Sequence, residues 1–146
     1  MCLVLLGLLA ATPASAAEHA TPEEARAMLE RAVAALQRDE AAALAAFSAG
    51  ADGFKEKDLY VFCGNVDDGM SSAHGVEPWR AGKASLREQV DVNGKPYGEE
   101  FYAVAEEGAF NVVEYAWPRP GEKDASPKAS YITKVGNQIC GVGYYK

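Results

Sequence analysis

The sequence predicts an α+β fold, with one long amphipathic helix followed by about five antiparallel strands. Three observations predict it. Between residues 21 and 49 the apolar residues recur at spacings of three and four, the period of a helix with one buried face. Beyond residue 58 the texture changes to short aromatic and β-branched runs, separated by turns rich in Gly, Asn and Asp. The 146 residues are 49% hydrophobic and 24% charged, which is enough apolar material for one core and suits one domain. That balance excludes a disordered chain, a collagen-like chain and a multi-span membrane protein.

Residues 1–16 read as a secretory leader. Leu3 to Ala11 is an apolar run interrupted only by Gly7, Pro13 breaks it, and Ala14-Ser15-Ala16 supplies small residues for cleavage. The run is shorter than the roughly 20 residues that span a bilayer. No Lys or Arg precedes it, and a buried N-terminal helix is the alternative. Cys2 stands before the run, so a lipid-anchored start is not expected. Cleavage would leave residues 17–146 as a single domain, periplasmic or secreted, with no further apolar run long enough to span a membrane. The net charge of −7 argues against nucleic acid or an anionic membrane as partner. Cys63 and Cys140 would then be the only cysteines left in an oxidising compartment. They are either a disulfide pair or two separately buried thiols.

Thr21-Pro22-Glu23-Glu24 is a helix start, with Thr21 as cap, Pro22 at the first helical position and Glu24 closing a capping box. Ala25, Met28, Leu29, Ala32, Val33 and Leu36 form the apolar stripe, and the alanine-rich run to Phe47 continues it, with a bend near Arg38-Asp39. The helix is expected to span about 25 residues in all, ended by Gly50 to Gly53. Leu59 to Cys63 and Met70 to His74 flank an Asp67-Asp68-Gly69 turn as a hairpin. Ser85 to Val90 reads as a short helix or turn, Tyr97 to Glu107 as helix, and Phe110 to Trp117 as a strand. Ser130 to Val135 and Gln138 to Tyr145 flank Gly136-Asn137 as a second hairpin. The long helix would cover one face of the sheet and the segment Gly75 to Glu107 the other. A loose Gly- and Pro-containing cover of that kind commonly encloses a small pocket.

The candidate site residues cluster around that cover. Trp79, Tyr97, Tyr102, Tyr115, Trp117 and Tyr131 are amphipathic aromatics, either core filling or pocket wall. His74 ends a strand, where it is a satisfied structural histidine or a donor to an anion. Alternation along Pro127-Lys128-Ala129-Ser130-Tyr131 puts Lys128 and Ser130 on one face and Tyr131 on the other. If the Lys128 face is buried, its charge needs an anion, which would make Lys128 and Ser130 a carboxylate site. If it faces solvent, the pair means nothing. Tyr131 could join Lys128 at one ligand only if Pro127 bends the strand. No nucleophile elbow, zinc-binding helix or phosphate loop occurs, so no enzyme activity and no cofactor or metal is expected. A hydrolase or isomerase would need an acid–base pair, for which only His74 beside a carboxylate such as Glu114 is available.

Several motifs in order resemble the single Cache (sCache) extracellular sensor family. They are F-x-x-K-D-L-Y-V-F (Phe54 to Phe62), Ala73-His74, N-G-K-P-Y-G (Asn93 to Gly98), E-Y-A-W-P-R-P (Glu114 to Pro120), P-K-A-S-Y (Pro127 to Tyr131) and V-G-Y-Y (Val142 to Tyr145). Gly75 stands where the family usually has Pro after the His. The resemblance implies a PAS-like fold, a long N-terminal helix packed on a five-stranded antiparallel sheet, binding a small organic acid between the sheet and the middle segment. It implies His74, Trp117, Lys128, Ser130 and Tyr131 as ligand residues, with Trp79, Tyr97 and Tyr115 as walls. In a PAS-like sheet the first and last strands are neighbours, so Cys63 and Cys140 could bridge. Related sensors pair through the long helix, which makes a homodimer possible. The expectation is a free-standing sensing domain without its own output module, partnered by a membrane sensor or transporter. The alternative is an envelope protein–protein module with a vestigial pocket.

Overall fold

The computed structural model describes residues 19–146, so the leader expected over 1–16 lies outside the described residues. Helix α1 (Pro22–Arg38) starts as its sequence dictates. The Thr21 hydroxyl accepts from the Glu24 amide at 3.2 Å, and the Glu24 carboxylate accepts from the Thr21 amide at 2.8 Å. The single helix of about 25 residues is in fact two. Asp39 leaves helical geometry and caps α2 (Glu40–Ala49), its carboxylate accepting from the Ala42 amide at 3.0 Å. A short acidic side chain satisfies a free helical amide better as a cap than in mid-helix, so the bend near Arg38-Asp39 becomes a break. Gly50, at φ +62°, closes α2 in the left-handed conformation.

The sheet is antiparallel and has six strands, one more than expected. They are β1 (Lys55–Glu56), β2 (Leu59–Asn65), β3 (Ser71–His74), β4 (Asn111–Pro118), β5 (Ala125–Val135) and β6 (Gln138–Tyr145). The order is β1-β2-β6-β5-β4, with β3 also paired to β2. The extra strand is the two-residue β1, too short to carry a periodic signal. Both predicted hairpins form, β2–β3 and β5–β6. Between β3 and β4 lie a short 3-10 turn (Pro78–Arg80), a series of turns, and α3 (Tyr97–Val104). Among the described residues no helix is long and apolar enough to cross a membrane.

Period-two alternation sends side chains from the sheet into two separate cores. Leu59, Val61, Cys63, Cys140 and Val142 pack under Met28, Leu29, Ala32 and Phe47 of the helices. Tyr60, Phe62, Val113, Tyr115, Ile132 and Ile139 face the other way, against Leu86, Tyr97 and Phe101 of the middle segment. Cys63 and Cys140 are register partners on β2 and β6, on the helix side, and are joined by a disulfide. Tyr97, Tyr115 and Trp117 of the candidate site belong to this second core.

Candidate functional site

A small cavity lies between the sheet and the middle segment. Tyr60 and Phe62 of β2, Ser71 and His74 of β3, and Tyr115 and Trp117 of β4 contribute from the sheet. Arg80, Ser85, Leu86, Gln89, Tyr97 and Phe101 contribute from the cover, and none of the lining residues is acidic. The space is about 20 Å³, room for roughly one or two water molecules. The walls are fixed by ring packing, with Tyr97 stacked on Tyr115 at 4.4 Å and Phe62 on Phe101 at 5.3 Å between centroids. A wider groove beside α1 and α2 is lined by five alanines and Phe54 together with Arg31, Arg38, Asp39 and Asp52, and contains none of the candidate site residues.

His74 is buried and its tautomer is set by the backbone. Its Nδ1 accepts from the amides of Glu77 (2.9 Å) and Val76 (3.3 Å), so the proton resides on Nε2. Burial, and then the charges of Lys128 and Arg80, hold its pKa down to about 3, which keeps the ring neutral. Nε2–H has no partner among the described residues, and no fully buried polar side-chain atom of those residues lacks one. Nε2 therefore opens onto accessible space, and His74 lines the cavity.

Lys128 is 1% exposed. Its ammonium donates to the Tyr60 hydroxyl at 2.9 Å and is otherwise surrounded by the rings of Tyr60, Tyr145, Tyr115 and Phe62, at 4.3 to 6.0 Å from their centroids. Among the described residues no carboxylate pairs with it. Burial lowers its pKa to about 7 against a weaker upward pull from Asp58. Glycine at position 143 makes this placement possible, because a Cβ there would collide with Lys128 Cε and Ser130 Oγ.

The structure redistributes the residues expected at the site. His74, Tyr97, Tyr115 and Trp117 line the cavity. Lys128 and Ser130 point into the same core one layer behind the wall, Lys128 reaching it through Tyr60 and Ser130 through a 2.9 Å bond to the Tyr115 hydroxyl. Tyr131 is a correction: it packs in the helix-side core against Tyr144. β5 pairs without interruption through Pro127, so no bend overrides the alternation. Trp79 is a second correction. It is 56% exposed and lies outside the cavity, with the Arg80 guanidinium over its ring. Tyr102 donates to the Asn65 carbonyl and serves the fold.

Sequence reasoning missed Arg80, Tyr60, Ser71 and Gln89. Tyr60 was legible, since it alternates with Val61 beside a predicted hairpin. Arg80 sits on a single turn after Pro78 and has no periodic signal; the only hint was a cation beside Trp79.

The chain matches the model of the family described as single Cache domain 2 over residues 11–143. Among solved structures it is similar to a methyl-accepting chemotaxis protein from Vibrio parahaemolyticus RIMD 2210633, at 22% identity and TM-score 0.68, covering 84% of this chain and 86% of that one. It is also similar to the periplasmic sensor domain of a chemotaxis protein, at 27% identity and TM-score 0.62, covering 84% and 88%. A Cache chemosensory domain described for carboxylic acid recognition matches at 19% identity and TM-score 0.62, covering 84% and 86%. A search of curated proteins found no match.

Proposed function

The chain belongs to the single Cache domain 2 family, and we propose that within it this protein is a periplasmic domain that binds and senses a short carboxylate. The observation that supports this reading is Lys128, a fully buried ammonium without a carboxylate partner among the described residues, behind a cavity that has no acidic lining. A buried charge without a counter-charge is costly. A carboxylate in the cavity would supply that counter-charge, and the protein would hold it by three means. Lys128 polarises the Tyr60 hydroxyl, Ser130 orients that of Tyr115, and His74 offers Nε2–H as a neutral donor. Tyr97 and Trp117 keep water out, which strengthens each of these interactions. One of the similar structures is a Cache domain described for carboxylic acid recognition, which agrees with this chemistry. A sensor of this kind needs a reader of its loaded state, and the proposed readers are a membrane sensor or transporter, or a second copy joined through α1.

The small cavity favours the shortest acids and requires the cover to give slightly on binding. It is also the observation that favours the second reading, an envelope interaction module with a vestigial pocket. A thermal-shift panel of acetate, propionate, butyrate, lactate and pyruvate separates the two. At a hundredfold excess over Kd a ligand stabilises by about 2.7 kcal/mol, a shift on the order of 10 °C for a domain of this size. Stabilisation by a C2 or C3 acid that disappears in Lys128→Met is the expected result. Silence across the panel, or a shift that Lys128→Met leaves intact, overturns the carboxylate reading.

A further inference from the structure

Arg80 is held more rigidly than its position on a short turn requires. Its Nε donates to the Glu77 carboxylate at 2.5 Å. The guanidinium carbon lies 4.9 Å from the Trp79 ring centroid and 5.2 Å from that of Trp117. The side chain is only 15% exposed. The indoles fix the plane of the guanidinium, and Glu77 fixes its rotation within that plane.

This arrangement leaves one edge of the guanidinium unused. With Nε engaged, the Nη1 and Nη2 edge carries four N–H donors, the geometry that grips a carboxylate through two parallel hydrogen bonds. Neither Nη atom has a hydrogen-bond partner among the described residues, and no fully buried polar side-chain atom of those residues is unsatisfied. The edge therefore meets accessible space, and Arg80 lines the cavity. Its charge is felt by both His74 and Tyr97, which line the same space. Lys128, by contrast, does not line the cavity and spends its one hydrogen bond on Tyr60.

Glu77 ties the two front-row donors together. Its carboxylate orients Arg80, and its backbone amide holds His74 Nδ1, which leaves Nε2–H free to donate. The seven residues from His74 to Arg80 thus supply two aimed donors through one shared support.

Taking the carboxylate reading as given, we infer that the Nη edge of Arg80 is the group that grips the ligand carboxylate, that Glu77 is its positioning residue, and that Lys128 acts from behind through Tyr60. The site would then distinguish an acid from its uncharged isostere chiefly at Arg80.

Calorimetric titration of acetate against acetamide, and of propionate against propionamide, tests this. Wild type should prefer each acid to its amide. Arg80→Lys keeps the charge but loses the fork, and should weaken acid binding about tenfold or more. Arg80→Gln should weaken it further and bring acid and amide to similar affinity. Glu77→Gln should weaken acid binding by a smaller factor, with amide binding little changed. Each variant's melting curve confirms that it is folded. Arg80→Lys and Arg80→Gln proteins that bind the acids like wild type, while Lys128→Met does not, would overturn the assignment to Arg80 and leave the carboxylate reading standing. A wild type that binds neither acid removes both.

Discussion

The two faces of the central sheet are both buried, but by different means. On the helix side, Met28, Leu29, Ala32 and Phe47 close over Leu59, Val61 and Val142, with the Cys63–Cys140 disulfide among them. On the cavity side, Tyr60, Tyr97 and Tyr115 carry hydroxyls, His74 is held neutral, and Lys128 has no acid partner among the described residues. The first face satisfies itself. The second contains a buried charge and unused donors, which the proposed function assigns to a guest. On that reading, stability and recognition fall to opposite sides of one sheet, a division that alternation along each strand permits.

If that division is right, damage to the helix side should cost stability and spare recognition. Phe47→Ala removes a fully buried ring and should cost about 3–5 kcal/mol in denaturant unfolding, with acid affinity unchanged in the folded fraction. Loss of affinity at retained stability would break the comparison. Removing the disulfide through Cys63→Ala with Cys140→Ala opens a loop of 77 residues and should cost about 2–5 kcal/mol, again without altering affinity.

On the cavity side the sign should reverse. Lys128→Met keeps the volume and removes the unpaired charge, so the ligand-free protein should be unchanged or more stable, by up to about 4 kcal/mol, while acid binding is lost. The same group gives a pH signature. Its pKa falls from 10.5 in its ordinary state to about 7 when folded, so between pH 7 and 10.5 the unfolded chain binds more protons. Stability of the ligand-free protein should therefore rise with pH across that window, by at most about 1.4 kcal/mol per pH unit. Lys128→Met should abolish the slope. A flat profile in wild type would mean that the ammonium is better solvated than its surroundings indicate.

The smallest effect sharpens the boundary between local and global design. Asp39→Ala removes the cap that starts α2 and should cost about 1 kcal/mol, measured in urea, with no change at the cavity.

The elements with strong local causes were legible in the sequence. Thr21 with Glu24, Asp67-Asp68-Gly69 and Gly136-Asn137 each act over three or four residues, and each appears where expected. Alternation correctly set Lys128 and Ser130 against Tyr131, and the family resemblance, which treats P-K-A-S-Y as one motif, was the weaker guide for Tyr131. The depth of Lys128 was not legible, because it depends on Gly143 of the neighbouring strand leaving room for it. Arg80 was invisible for a related reason. Its proposed role comes from Glu77, Trp79 and Trp117 meeting around it, and Trp117 arrives from β4 at the far edge of the sheet.

The central claim is that residue 128 carries a buried charge awaiting an anion, and NMR of the lysine side chains reads that charge directly. The Lys128 resonance, assigned by its loss in Lys128→Met, would be titrated with and without saturating acetate or propionate. The account predicts a midpoint near 7 for the free protein and a clear rise when the acid is bound. An ordinary lysine midpoint in the free protein, or a depressed one that neither acid moves, would contradict it.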